Sequence, residues 1–227
     1  MLVHRVRLAL SFISIQTGFV QVVLGEGFMR KLIGHDIGNP QRPGSTQSVG
    51  DNGYDLVAGG SDIWENADHF HFACTQCEGD FEVQVRVEIL EFGHDYTKAG
   101  LMVRESLEPG SPHFSHIVFP DNRARNNNCG GHESQFRLTR NGPSKAIYPV
   151  QGSKPPAEFP VNYPDVWIRI TRKASVFEAL VSQDGESWSV FAHHEQNLPV
   201  GVFVGLAVTS HDDTRTIRAR FREFEIS

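Results

Sequence analysis

The chain has 227 residues, with 21 Lys and Arg against 27 Asp and Glu, so its net charge is −6 with neutral histidines. A chain of this length buries a full core without a disulfide or metal staple, and a hydrophobic share of 39 % excludes intrinsic disorder. The mild acidity, without any long Lys/Arg block, argues against a nucleic-acid or anionic-membrane partner.

Residues 1–27 stand apart. A basic start, MLVHRVR, leads into an apolar stretch with small residues near Gly25. That outline fits a signal peptide, and an N-terminal extension is the alternative. The first reading predicts a secreted protein, the second a cytoplasmic one. Gln16, Thr17 and Gln21 interrupt the run, which does not suit a membrane span.

From residue 28 onward the pattern is of short strands. Phe81–Ile89 alternates, with Phe81, Val83, Val85, Val87 and Ile89 on one face and Glu82, Gln84, Arg86 and Glu88 on the other. This is a strand with one buried and one polar face. Lys98–Arg104 alternates too, setting Ala99, Leu101 and Val103 against Lys98, Met102 and Arg104. Phe114–Phe119 and Phe136–Leu138 follow, then a Pro/Gly-rich surface connection over 140–165. Val166–Arg172 alternates again. Val176–Val181 and Ser187–Phe191 flank Asp184-Gly185, a pair that tolerates positive φ and closes hairpins. Val200–Thr209 and Thr216–Ile226 complete ten to twelve strands. Such spacing predicts an all-β sandwich or barrel, with residues 28–227 as one domain. The 21 Gly and 12 Pro read as its turns, and the 16 Phe as its core.

Ordered words run through the chain. Gly60-Ser61-Asp62-Ile63-Trp64, Asp68-His69-Phe70-His71-Phe72 and Gly79-Asp80-Phe81 come first. Lys98-Ala99-Gly100-Leu101-Met102-Val103-Arg104-Glu105-Ser106-Leu107 follows, with Pro109-Gly110-Ser111-Pro112-His113. Ser182-Gln183-Asp184-Gly185-Glu186-Ser187-Trp188 and Gly205-Leu206-Ala207-Val208-Thr209-Ser210-His211 end the set. Over residues 34–227 the chain resembles the DUF1349 family, whose relatives include a fungal regulator of enolase and the C-terminal domain of β-xylosidases. The resemblance implies a concanavalin A-like jelly roll, a two-sheet antiparallel β-sandwich. It implies a carbohydrate or protein ligand but no activity, since many such domains are non-catalytic modules of carbohydrate-active enzymes. Asn122–His132 has no match in the family pattern.

Glucanases of this fold class carry carboxylates in an E-x-D-x-x-E string, which puts acid and nucleophile on one strand face. No such string occurs. Glu82 and Glu88 share a face but lie about 20 Å apart along a strand, beyond the roughly 5–10 Å a carboxylate pair needs. Ser182–Trp188 is similar to a sialidase Asp-box but lacks one residue of its spacing, and it reads better as a hairpin. Cys74, Cys77, Cys129 and His132 have the ligand types of a zinc site, yet the strand count puts the two pairs at opposite ends. A Cys74–Cys77 disulfide and free thiols are the other readings. His69 and His71 share a face. Asp62, Asp212 and Asp213 are the best carboxylates for a calcium ion.

The better place for a ligand is a polar sheet face, concave if the sheet curves; an ordinary solvated face with cross-paired Glu and Arg is the other reading, and the favoured one. Lys98 and Arg104, with Arg86 on the strand taken as neighbour, would offer planar and charged donors to hydroxyls or carboxylates. His116 and Arg137 would join them, and Trp64 would serve as rim packing or as a sugar platform. A non-catalytic binding domain, with carbohydrate as ligand, is the first expectation. A glycoside hydrolase and an intracellular protein-interaction domain are the alternatives.

Overall fold

The computed structural model describes residues 31–125, 130–148 and 159–227. The expected leader, Cys129 and most of the connection over 149–158 lie outside the described residues. The described residues form fourteen strands: β1 (Ile33–Ile37), β2 (Ser45–Val49), β3 (Gly53–Ala58), β4 (Phe70–Glu78), β5 (Phe81–Leu90), β6 (Lys98–Arg104) and β7 (His113–Val118), then β8 (His132–Arg137), β9 (Lys145–Ile147), β10 (Val166–Lys173), β11 (Val176–Ser182), β12 (Ser189–Glu195), β13 (Gly201–Thr209) and β14 (Ile217–Ile226). Among the described residues there is no helix.

The strands form two seven-stranded antiparallel sheets. The first runs β1-β4-β13-β6-β7-β8-β9, the second β12-β11-β10-β5-β14-β3-β2. In each sheet a late strand is inserted among earlier ones, β13 between β4 and β6 and β14 between β5 and β3, and the fold is the expected all-β sandwich. The period-two pattern explains the assembly. On β5, Phe81, Val83, Val85 and Val87 are buried while Glu82, Gln84, Arg86 and Glu88 are partly exposed. The inward residues meet Leu101, Val103, Phe114, Val204 and Leu206 from the first sheet. Burying each such side chain contributes roughly 1.5–3 kcal/mol.

Two turns show the local chemistry. Asp184 Oδ1 accepts from the backbone N–H of Glu186 (2.8 Å) and of Ser187 (2.7 Å), and Gly185 sits at φ +73°. These hydrogen bonds hold the exposed Asp184 carboxyl down at about 2, and Asp-Gly closes the β11–β12 hairpin as expected. Gly60 has φ +102°, and a Cβ there would lie 2.1 Å from the His69 carbonyl oxygen. Only glycine lets the 59–69 segment fold this closely onto β4.

That segment produces the main departure from expectation. The outward face of the first sheet is largely covered, not open. Ile37, Ile63, Phe70, Phe72, Cys74, Met102 and Ala207 form a second apolar cluster there. Lys98 is 3 % exposed and Met102 and Arg104 are 0 %. The alternation of β6 was read correctly, but both of its faces are buried.

The strand neighbours also differ. β6 pairs with β13 and β7, whereas β5 pairs with β10 and β14 in the other sheet. Arg86 therefore lies on the far outer surface of the sandwich. There it meets Glu223 (3.1 Å), Glu88 (3.8 Å) and Asp165 (3.9 Å).

Candidate functional site

Arg86, Lys98, Arg104, His116 and Arg137 were expected to share one ligand face with Trp64 as rim or platform, and the structure separates them. Arg86 is removed by the topology above. His116 lies opposite Leu101 in register, so it points between the sheets. Its Nδ1 is 2.8 Å from Ser134 Oγ, its Nε2 is 3.1 Å from His132 Nδ1, and its ring is 4.8 Å from Phe191. Burial holds His116 well below the ordinary histidine value and His132 at about 3, so both stay neutral in the core.

Arg104 and Arg137 do share the outward face, but they are sealed. Arg137 Nη2 donates to Asp68 Oδ1 (2.6 Å) and its Nη1 to Oδ2 (2.8 Å), while Arg104 Nη1 reaches Oδ2 at 3.3 Å. All three side chains are 0 % exposed. Arg137 also donates to the carbonyls of Trp64, Glu65 and Gly142, and Arg104 to those of Ser106 and Glu108. Arg104 lies over the rings of Phe70 (5.3 Å) and Phe72 (6.0 Å). Burial brings its guanidinium down to about 10, against the Asp68 charge that supports it. The two arginines thus rivet the 59–69 and 105–112 segments onto the sheet. They are structural, because every donor direction that could meet a ligand is taken by the protein.

Lys98 and Trp64 are the two expected residues that reach a cavity. Lys98 Nζ donates to Asp62 Oδ1 (2.5 Å) and to the Ile63 carbonyl (3.2 Å), and sits 5.7 Å from the Trp64 ring centroid. A cavity of about 290 Å³ opens here, lined by Asp62, Trp64, Tyr96, Lys98, Glu133, Gln135, Tyr148 and His211. A second, of about 380 Å³, adjoins it and shares Asp62, Trp64 and His211. Trp64 thus stands as a common wall.

Loops from one end of the sandwich build the site. Asp62 bridges His69, whose N–H donates to the Asp62 carbonyl (2.7 Å). Thr209 Oγ1 donates to the Gly60 carbonyl (2.9 Å), fixing the same loop to β13. His211 follows directly, stacked on His94 (4.5 Å) and 5.5 Å from Tyr96. Glu133 and Gln135 come from the outward face of β8, where they alternate with His132 and Ser134.

The two carboxyls differ sharply. Burial raises Asp62, but the Lys98 charge and hydrogen bonds from His211 and Lys98 outweigh it and bring the group to about 2. Glu133 is 4 % exposed, and burial pushes it above the ordinary value although Lys98, Tyr148 and Gln135 pull the other way. Gln135 Nε2 donates to Glu133 Oε1 (2.5 Å).

Sequence reasoning had named Asp62 for calcium only, and had missed Tyr96, Glu133, Gln135, Tyr148 and His211. The alternation Glu133/Gln135/Arg137 against His132/Ser134/Phe136 was the available signal, obscured because the strand was read as starting at Phe136.

The other candidates are engaged elsewhere. Among the described residues no group of three or more His, Cys, Asp or Glu side chains is placed to hold a metal ion. Asp212 accepts from Thr214, and Asp213 from the Gln41 N–H. Cys74 lies in the outer cluster and Cys77 in the inner core, both as free thiols. They sit on opposite faces of β4, which a disulfide does not span.

His71 takes part in a hydroxyl–imidazole–carboxylate chain. Its Nε2 is 2.8 Å from Thr46 Oγ1 and its Nδ1 is 2.8 Å from Asp36 Oδ1. This has the order of a nucleophile triad. The hydroxyl, however, faces between the edge strands, and a Cβ on Gly34 would come within 2.7 Å of it. The chain is a latch tying β2 to β1 and β4.

No family model matches the chain, and no curated sequence is significantly similar to it. Solved structures of the same architecture exist. A functionally unknown protein from Saccharomyces cerevisiae aligns with TM-score 0.63 at 18 % identity, over 87 % of this chain and 96 % of that one. The carbohydrate-binding module CBM66 from Bacillus subtilis aligns with TM-score 0.51 at 11 % identity, over 82 % and 92 %. A GH43 protein from Bacillus licheniformis aligns with TM-score 0.55 at 12 % identity, over 77 % of this chain but 32 % of that protein. At these identities the likeness is one of fold, a concanavalin-like sandwich.

Proposed function

We propose that this chain is a non-catalytic carbohydrate-binding domain of the DUF1349 kind, with its sugar held where the two cavities meet at Trp64. The observation that carries the reading is the composition of that site. Trp64, Tyr96 and Tyr148 line the cavity together with Asp62, Glu133 and Gln135. Sugars present apolar C–H faces and a rim of hydroxyls, so they suit an apolar wall with a few convergent polar groups. The cavity of about 290 Å³ sits at the low end of ligand pockets, roughly 300–1,000 Å³, and fits one ring. The fold likeness to CBM66 supports the reading, as does the likeness to part of a GH43 protein.

The test is a glycan array probed with the intact chain and with Trp64→Ala. Binding that Trp64→Ala abolishes, with an unchanged circular dichroism spectrum, is the expected result. Capture of no glycan, or equal capture by the variant, would sink the proposal.

A second reading, a glycoside hydrolase, is favoured by one observation. Asp62 and Glu133 have their proton affinities driven apart, as in acid–base pairs. Asp62 is already committed to Lys98, which favours the first reading. Release of reducing sugar from any polysaccharide, lost in Glu133→Gln, would establish the second.

A further inference from the structure

Resting on the carbohydrate reading, we infer that the pocket selects neutral glycosyl units and rejects their uronic acid counterparts, because its floor calls for hydroxyl donors and already holds two carboxyl groups. The argument starts at Gln135, which is 1 % exposed and lines the cavity. Its amide nitrogen is committed to Glu133 Oε1 at 2.5 Å, which fixes the amide orientation and turns the oxygen away. Gln135 Oε1 is buried and has no hydrogen-bond partner among the described residues. A buried acceptor without a donor is unfavourable, and a ligand that supplies one gains what the free pocket lacks. A sugar hydroxyl is such a donor. A carboxylate or phosphate is not, since in its ionised form it only accepts.

The charges agree. Lys98 is the lysine or arginine of this lining, and Asp62 already neutralises it at 2.5 Å. The adjoining cavity brings Glu65 beside Asp62 and no Lys or Arg. An anionic ligand would therefore face Asp62, Glu133 and Glu65, with Lys98 already paired and His211 Nδ1 lying 3.3 Å from Asp62 Oδ1. A uronide keeps its ring hydroxyls and loses only the hydroxymethyl donor, so Gln135 discriminates between the two where it meets that group and is then left unpaired. Replacing a hydroxymethyl group by a carboxylate adds like-charge repulsion to that loss.

The experiment is a titration of the intact chain with two matched pairs: methyl glucoside against methyl glucuronide, and methyl galactoside against methyl galacturonide, followed by ligand-observed NMR at neutral pH. At least one neutral member should bind tenfold or more tightly than its uronide. Gln135→Met, which keeps length and removes the acceptor, should weaken the neutral ligand about tenfold with an unchanged melting temperature. Glu133→Gln, which removes a charge and keeps shape, should narrow the discrimination. A uronide that binds as well as its neutral partner overturns the inference while leaving the carbohydrate reading intact. So does a folded Gln135→Met of unchanged affinity. Failure of all four glycosides and of the glycan array together would overturn both.

Discussion

Two clusters of carboxylate and cation lie on the same outward face of the first sheet, and they do opposite things. Asp68, Arg104 and Arg137 form one; Asp62, Lys98 and Glu133 form the other. They draw on the same strands, since Lys98 and Arg104 are both on β6, and Glu133 and Arg137 both on β8. In the first cluster every donor ends on protein, at 0 % exposure. In the second a cavity opens between aromatic walls, a buried carboxyl is held above its usual value, and an amide oxygen has no partner. Residue type and alternation are alike in both. The difference is cover: the 59–69 and 105–112 segments close over one and leave the other at their margin.

The contrast predicts effects of very different size. Asp68→Ala leaves two buried guanidiniums uncompensated, so it should cost about 3–5 kcal/mol of unfolding free energy, read by urea denaturation. A cost below about 1 kcal/mol would show that the rivet is not what holds the loops. The sealed region should also declare itself in acid. Burial outweighs the Asp68 charge 3.8 Å away and keeps His113 at about 4, with His132 at about 3. The unfolded chain takes up these protons near the ordinary 6.5, before the folded one does. Stability is therefore complete above pH 6.5 and is lost as pH falls toward 4. The slope is about 1.4 kcal/mol per pH unit for each such histidine. A flat stability profile between pH 6.5 and 4.5 would contradict their burial.

The open cluster behaves otherwise. Trp64→Ala should lower glycan affinity about tenfold, equivalent to about 1.4 kcal/mol, while shifting unfolding far less than Asp68→Ala does. The smallest effect belongs to Glu133→Gln. A carboxyl raised in the folded state favours folding below its unfolded value and loses that benefit as pH rises through the folded value. The variant should therefore be no less stable than wild type at pH 8, and the two should converge at or below pH 4. A marked loss at pH 8 would make Glu133 a structural member of the face and erase the contrast.

Much of the architecture was legible beforehand. β5, β6, β10, β11 and β14 follow from period-two alternation, because each has a side turned to the common core, and β13 follows from its continuous apolar run. The Asp184-Gly185 hairpin follows from the φ preferences of its two residues. β1, β2 and β3 were not distinguished, because IGHDI, STQSV and GYDLVA, with their Gly and polar residues, carry little alternation. Of the residues grouped beforehand, Lys98 and Trp64 do meet at a cavity, whereas Arg86 belongs to the other sheet and His116 points between the sheets. Each of those errors traces to pairing: alternation says that two residues share a face of one strand, not which strand lies beside it.

Local pattern by itself determined that this chain makes strands, where most of them run and which side of each is apolar, since those properties depend on neighbours one or two residues away. Tertiary structure alone decided that β5 and β6 part into different sheets and that the outward side of β6 is roofed. It alone decided that Asp68 finds two arginines while Asp62 finds one lysine and one histidine beside a cavity. Those outcomes depend on contacts between residues far apart in the chain, such as Asp68 with Arg137 and Thr209 with Gly60, and no periodicity records them.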